Sequence, residues 1–170
     1  SSDVCSSDLA DGVTATLYYL VSYCAMTIGS FSVLALIGPD ADDVSSLQGL
    51  GRRSPFLACC ITIFFLGLAG LPPSMAGLTA KLFVFSEALS SGMYGLAIIA
   101  VLNSALACAY YFRVPVAALF QTGASQERLS VPLLAAVGLS LCAAAVILFG
   151  IFPEPLLAVI RDAAESLVGS

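Results

Sequence analysis

Four apolar segments, separated by polar loops, organise the chain. Gly38-Pro39 ends the first segment, and Pro153-Glu154-Pro155 closes the fourth. Each segment is long enough to cross about 30 Å of hydrocarbon at about 1.5 Å per residue of helix. The pattern therefore predicts an all-α membrane protein with four transmembrane helices, which run from about Ala15 to Ile37, Pro55 to about Ser90, Gly92 to Phe112 or as far as Phe120, and Val131 to Phe152.

The second segment does not fit a single continuous helix. Its 35 residues from Phe56 to Ser90 would make a straight helix of about 52 Å, too long for one crossing and too short for two. Two adjacent prolines also interrupt it, and a helix interior tolerates neither of them well. We therefore expect a discontinuous second helix, with one crossing made of two half-helices. The break is expected around Gly70-Leu71-Pro72-Pro73, near Leu71 to Ser74.

The two ends of the chain differ from this bundle, which we place at residues 10–152. Residues 1–9 contain Ser-Ser-Asp twice and lack the basic start and apolar core of a signal peptide, so we interpret them as a non-native leader. The tail, residues 153–170, alternates at helical period. This predicts a C-terminal amphipathic helix on the membrane surface or on a neighbour. Its apolar face comprises Leu156, Ile160, Ala163, Ala164 and Leu167.

Arginines are unequally distributed between the two ends of the predicted helices. Arg52, Arg53, Arg113 and Arg128 flank one side, whereas Arg161 alone flanks the other. Cytoplasmic loops carry an excess of Lys and Arg, so the loops at 40–53 and 121–130 are expected in the cytoplasm. The C-terminus would then lie on the outer face of a bacterial inner membrane.

Composition supports the membrane prediction and excludes several kinds of site. Hydrophobic residues make up 59% of the chain and charged residues 10%, against about 25% charged in soluble domains. With no basic patch, a nucleic-acid partner is disfavoured. The chain has no His, and its six Cys show no C-x-x-C spacing, so we expect no metal, no cofactor and no redox centre in this chain. The cysteines of the apolar segments are interpreted as buried apolar residues.

Lys81 is the candidate functional residue. It is the only Lys in the chain and the only charged residue between Phe56 and Ser86. A charge within the bilayer costs at least a few kcal/mol, so such a residue is a functional hypothesis by default. Desolvation favours the neutral amine, which suits a group that loads and unloads a proton. The alternative is a snorkelling lysine that marks the membrane edge.

Other polar residues of the apolar segments have simpler interpretations. Ser74, Thr79, Asn103 and Ser104 either line a hydrated path or make hydrogen bonds between helices. Glu87 lies six residues beyond Lys81 and is interpreted as an interfacial residue. The tyrosines near the ends of the first and third spans are interpreted as an aromatic belt; they are Tyr18, Tyr19, Tyr23, Tyr110 and Tyr111.

Three motifs resemble a known family. Residues 66–73 read L-G-L-A-G-L-P-P, followed by Gly77 and Lys81-Leu82-Phe83; this resembles the L-A-G-I/L-P-P…G-F-x-G/A-K-F/L signature of antiporter-like membrane subunits. Residues 45–55 are similar to the approach to that signature, L-x-G-L-x-x-R-x-P. Leu102-Asn103-Ser104 and residues 110–114, Y-Y-F-R-V, are similar to a run in subunit N of NADH-quinone oxidoreductase, respiratory complex I.

The resemblance implies a role that the residues alone do not establish. It implies that these are the last four of fourteen helices, and that Lys81 is the proton-carrying lysine of the discontinuous twelfth. Here Ala80 precedes Lys81 where the family usually has Gly. Partners would be the other membrane subunits and the lipid bilayer, with NADH, FMN, iron–sulfur clusters and quinone handled in partner subunits. The alternatives are a subunit of a cation/proton antiporter or of a membrane-bound hydrogenase, or a non-conducting membrane scaffold.

Overall fold

A computed structural model describes residues 2–38, 43–72, 76–123 and 128–168, with side chains described for 12–38, 43–72, 77–123 and 128–163. Every regular element in these ranges is helical, which confirms the predicted all-α class. In chain order the elements are α1 (Ser2–Ile37), a 3₁₀ turn (Val44–Leu47), α2 (Leu50–Arg53), α3 (Pro55–Ala69), α4 (Ala76–Ser90), α5 (Tyr94–Phe120), α6 (Leu133–Ile151) and α7 (Glu154–Val168).

Three helices of the described part are long and apolar enough to cross a membrane. They are Gly12–Ile37 within α1, α5 at 27 residues and α6 at 19 residues. The predicted first, third and fourth spans correspond to these helices. The first begins earlier than expected, because α1 is already helical at Ser2. Since the side chains of residues 2–11 lie outside the described part, the non-native leader stays a prediction.

Helices α3 and α4, of 15 residues each, follow one another along α1. The Phe64 ring of α3 lies against Gly29, whereas the methyl of Met26 lies near Gly77 at the start of α4. Farther along α4, the Phe83 ring packs edge-on against the Tyr18 ring, with the two ring centroids 5.5 Å apart. One helix therefore contacts both half-helices in succession, and together they make the predicted discontinuous crossing.

The break itself begins with a glycine rather than a proline. Gly70 adopts a left-handed conformation (φ +86°), which glycine adopts without a steric penalty. The Leu71 N–H donates to the Leu66 carbonyl at 2.8 Å, and the Gly70 N–H donates to Gly67 at 3.0 Å; this is a Schellman cap. Leu71 is half-buried and Pro72 exposed, while Pro73 and Ser74 lie outside the described residues.

The start of α4 packs closely against the end of α3. A Cβ atom added at Gly77 would overlap the carbonyl oxygen of Gly67. Only a residue without a side chain fits there, so the two half-helices are held in backbone contact beside the break.

The loops place Arg53, Arg113 and Arg128 at one end of the bundle. The Leu129 N–H donates to the Arg53 carbonyl at 3.4 Å, which joins the loop of Arg128 to α2. Arg113 lines a cavity with Asp43, at the same end of the bundle. Arg161, by contrast, lines a cavity with Thr14 at the opposite end.

The C-terminal helix α7 packs on neighbouring helices. Leu157 and Ile160 are 5% and 6% exposed and form a cluster with Tyr18 of α1 and Ala80 of α4. Ala163, which the sequence places on the same face, is exposed; Ala164 and Leu167 lie outside the described side chains. Of the two predicted surfaces, the protein neighbour is therefore the one observed.

Two side-chain interpretations from the sequence were wrong. Tyr18 is fully buried, and its hydroxyl donates to the Phe149 carbonyl at 2.7 Å, so it does not belong to an aromatic belt. Because α1 begins well before Tyr18, this residue lies near the middle of the helix rather than at its end, where a residue of an aromatic belt would lie. Cys24 and Cys59 are exposed on the bundle surface, whereas Cys60 is buried.

Candidate functional site

Lys81 lies just beyond the first turn of α4, and its side chain reaches back to the helix break. The Nζ atom donates to the Leu68 carbonyl at 3.0 Å and lies 3.5 Å from the Ala69 carbonyl. These are the last two residues of α3. The ammonium group is therefore held at the C-terminus of the preceding half-helix.

This position has a simple electrostatic explanation. The last four carbonyls of a helix have no partner within it, and the Schellman cap of α3 occupies two of them, Leu66 and Gly67. The two that remain, Leu68 and Ala69, are those that Lys81 contacts. A helix C-terminus carries roughly half a negative charge, which favours a cation there. The break thus supplies acceptors for the half-buried ammonium group.

The geometry disfavours a snorkelling lysine. A snorkelling side chain extends its charged end toward water at the membrane edge. From Lys81 to the last residue of α4 is about 14 Å along the helix at 1.5 Å per residue, yet the side chain points the other way, to α3. The half-buried Lys81 side chain is therefore directed toward the end of α3.

Lys81 lines a cavity of about 400 Å³ between α1, α4 and α5. Of the polar residues selected from the sequence, Asn103 and Ser104 of α5 line it too. Thr79 is half-buried but is not part of this lining, and Ser74 lies outside the described residues. The volume is many times the roughly 15 Å³ that admits one water molecule.

Three tyrosines complete the polar lining, although their places in the sequence predicted an aromatic belt. Tyr19 and Tyr23 come from α1, and Tyr111 from α5. The rings of Tyr19 and Tyr23 stack with centroids 5.9 Å apart. Their i, i+4 spacing was the available signal, since it places both on one helix face. A hydroxyl both donates and accepts hydrogen bonds, so these side chains provide partners for water beside Lys81.

The remainder of the lining is apolar or aromatic: Met26, Leu68, Gly77, Ala80, Val84, Phe85, Ala100 and Ala107. The site therefore combines one ammonium group, one amide and four hydroxyls within apolar walls. Such an arrangement can hold a proton on Lys81 and exchange it with water. In the described part of the chain, no three His, Cys, Asp or Glu side chains come together as metal ligands would.

Comparison with known proteins gives the family. The model of the family described as "NADH:quinone oxidoreductase/Mrp antiporter, TM" matches residues 4–107, a stretch that includes the break and Lys81. The chain belongs to this family. The match confirms the resemblance inferred from the motifs around Pro72 and Lys81.

Individual relatives agree with this family. The chain is 37% identical over 164 residues to NADH-quinone oxidoreductase subunit N of Trichlorobacter lovleyi, covering 94% of the chain and 34% of the relative. It is 36% identical over 168 residues to F(420)H(2) dehydrogenase subunit N of Methanosarcina mazei, covering 94% and 34%. The chain therefore spans about a third of the length of these relatives.

A solved structure has the same fold. The chain matches part of respiratory complex I from Thermus thermophilus, determined with bound aureothin, with a TM-score of 0.77 and 29% identity. The match covers 86% of this chain and 34% of that one. Together with the three membrane-length helices, the family establishes an integral membrane protein.

Proposed function

We propose that this chain forms part of a proton-translocating membrane subunit, and that Lys81 carries the proton. The observation behind the proposal is the position of the ammonium group, held by the carbonyls of a broken helix and beside a cavity large enough for water. The family adds weight, since its description names a quinone oxidoreductase and an antiporter.

The carbonyls of α3 explain how the lysine works in both protonation states. When Lys81 is protonated, the carbonyls of Leu68 and Ala69 offset part of the cost of burying the charge. Transfer of the proton to a cavity water leaves a neutral amine and a hydronium ion, so mass and charge balance. The neutral amine is attracted less strongly to the helix terminus and can turn toward the cavity, where a hydronium ion arriving from the other side gives it a proton and becomes water.

The proposed partners follow the names of the relatives. We place the chain in the membrane arm of an NADH-quinone oxidoreductase, acting as a translocase subunit among other membrane subunits and lipid. Oxidation of NADH and reduction of quinone, with FMN and iron–sulfur clusters, would take place in partner subunits. The end that carries Arg52, Arg53 and Arg113 would face the cytoplasm of a bacterium, and α7 would lie at the outer face.

A second assembly remains consistent with the same site. The family description includes an Mrp antiporter, and one relative is a subunit of F(420)H(2) dehydrogenase; a subunit of a cation/proton antiporter or of a membrane-bound hydrogenase is therefore the alternative. Proton transfer at Lys81 would serve any of these complexes, because it does not depend on the electron donor. A non-conducting scaffold is the alternative that removal of Lys81 tests.

The experiment uses the complete subunit in its assembled complex, reconstituted in vesicles. Lys81→Ala and Lys81→Arg are both expected to lower proton uptake per electron-transfer turnover, because alanine carries no proton and arginine does not release one. Leu82→Ala is the matched control, since Leu82 is adjacent but 55% exposed. Normal uptake in Lys81→Ala would exclude the proposal, and uptake retained only in Lys81→Arg would indicate a structural cation.

A further inference from the structure

We propose that Glu87 relays protons between Lys81 and the end of the bundle where α7 packs. This inference rests on the proposed function of Lys81 and adds the next residue of the path. Its place in the sequence predicted an interfacial residue, and in the structure Glu87 lines two cavities, the first of which shares Val84 with the cavity of Lys81.

The first link is a shared wall at Val84. A second cavity, of about 650 Å³, lies between α1, α4 and the start of α5, and Glu87 lines it. Val84 lines both this cavity and that of Lys81. Lys81, Val84 and Glu87 follow at intervals of three residues, so Val84 separates the ammonium group from the carboxylate along α4.

The second link leads from Glu87 to the surface. Glu87 also lines a third cavity, of about 160 Å³, with Thr14, Ser86 and Arg161. Ser86 and Arg161 are both exposed, so this cavity lies at the edge of the bundle. Among the described residues that line the second and third cavities, Glu87 and Arg161 are the charged ones. Glu87 is therefore the carboxylate through which a path from the second cavity to the third would pass.

The spacing requires water between the two titratable groups. Six residues of helix separate the two backbone positions by about 9 Å along the axis, and the Lys81 side chain points back to α3, so direct transfer between the two groups does not occur in this arrangement. Lys81 gives its proton to water in its own cavity, and water passing Val84 delivers a proton to the Glu87 carboxylate. The resulting carboxylic acid then gives a proton to water in the third cavity. One proton enters, one leaves, and no electrons are transferred.

Two variants at Glu87 distinguish a relay from a structural role. Glu87→Gln keeps the shape and hydrogen bonding but cannot take up the proton, whereas Glu87→Asp keeps an acid on a shorter side chain. A relay predicts that Asp works better than Gln; a structural hydrogen bond predicts the opposite order. Glu154→Gln is the matched control, because Glu154 is an exposed carboxylate in the first turn of α7.

The assay is proton uptake per electron-transfer turnover in vesicles, with the complete subunit in its assembled complex and with Lys81→Ala measured in parallel. Glu87→Gln is expected to slow transfer by this route by about 10²-fold, the scale for loss of a positioned acid or base, and so to pump no better than Lys81→Ala. Val84→Phe, which adds bulk at the residue shared by the two cavities without changing a charge, is expected to lower uptake as well.

The outcomes separate this inference from the proposed function. If Lys81→Ala lowers uptake while Glu87→Gln pumps normally, the relay is rejected and Lys81 keeps its role. The relay is rejected in the same way if Glu87→Gln outperforms Glu87→Asp. If Lys81→Ala itself pumps normally, the proposed function fails and the relay fails with it.

Discussion

The contact between the two half-helices gives a quantitative test of the broken crossing. Gly77 lies so close to the Gly67 carbonyl that an added Cβ would overlap it. A carbon–oxygen contact normally needs about 3.3 Å, so Gly77→Ala requires α4 to move by about 1 Å or more relative to α3. The backbone of α4 fixes the position of the added Cβ, and the oxygen belongs to the backbone of α3, so neither atom can rotate away. Overpacking of this kind costs about 1–3 kcal/mol.

Amide hydrogen exchange in α4 measures this cost in the assembled complex. If about 1–3 kcal/mol is lost from the local opening free energy, exchange accelerates by roughly 5- to 150-fold, because each 1.36 kcal/mol is a factor of ten. Gly95→Ala and Gly138→Ala are matched controls, since an added Cβ meets nothing within 4 Å at either position. If Gly77→Ala exchanges no faster in α4 than these controls, the close approach of α3 and α4 is wrong.

Three further predictions concern the parts that frame this contact. Gly70→Ala should destabilise the subunit by about 1–2 kcal/mol and Gly70→Asn by less, because asparagine tolerates the left-handed conformation; thermal unfolding of the complex measures both, and the reverse order would contradict the cap. Tyr18→Phe should cost about 1 kcal/mol in the same assay, because its hydroxyl bonds the Phe149 carbonyl; Tyr110→Phe, on an exposed ring, is the control. A cysteine introduced at Gln121 should react with an impermeant thiol reagent only from the cytoplasmic side, and labelling from outside would reverse the proposed orientation.

The crossing could be predicted from sequence because length and proline chemistry act locally. An apolar run of 35 residues with two prolines allows few arrangements in a bilayer, and α3 ends at the expected place. The expected break already included Gly70, which caps α3, and glycine is the residue that most often ends a helix in this way. The close approach at Gly77 depends on how α3 and α4 are placed relative to each other. The pattern of apolar and polar residues along the sequence does not predict this placement.

The site was predicted in part for a similar reason. Lys81 stands out because a lone charge in an apolar segment is costly, and Asn103 and Ser104 are polar in an otherwise apolar span. Tyrosine is ambiguous, because its ring suits an aromatic belt and a protein interior equally. Tyr18 was predicted in the belt but is buried, and Tyr23 lines the lysine cavity. Deciding between these environments requires knowing which helix lies opposite.

The break and the lysine are best understood as one unit. A continuous helix would use the carbonyls of Leu68 and Ala69 for its own hydrogen bonds and leave the half-buried ammonium group without these acceptors. The Schellman cap occupies the carbonyls of Leu66 and Gly67, and a cation thirteen residues after Leu68 occupies the next. Removing the charge would leave those acceptors to water, and removing the break would leave the charge unpaired. The charge of Lys81 satisfies carbonyls that the break leaves without partners, and the break provides acceptors for that charge. This relation gives a physical reason for a lysine and a proline pair to occur together in an apolar segment.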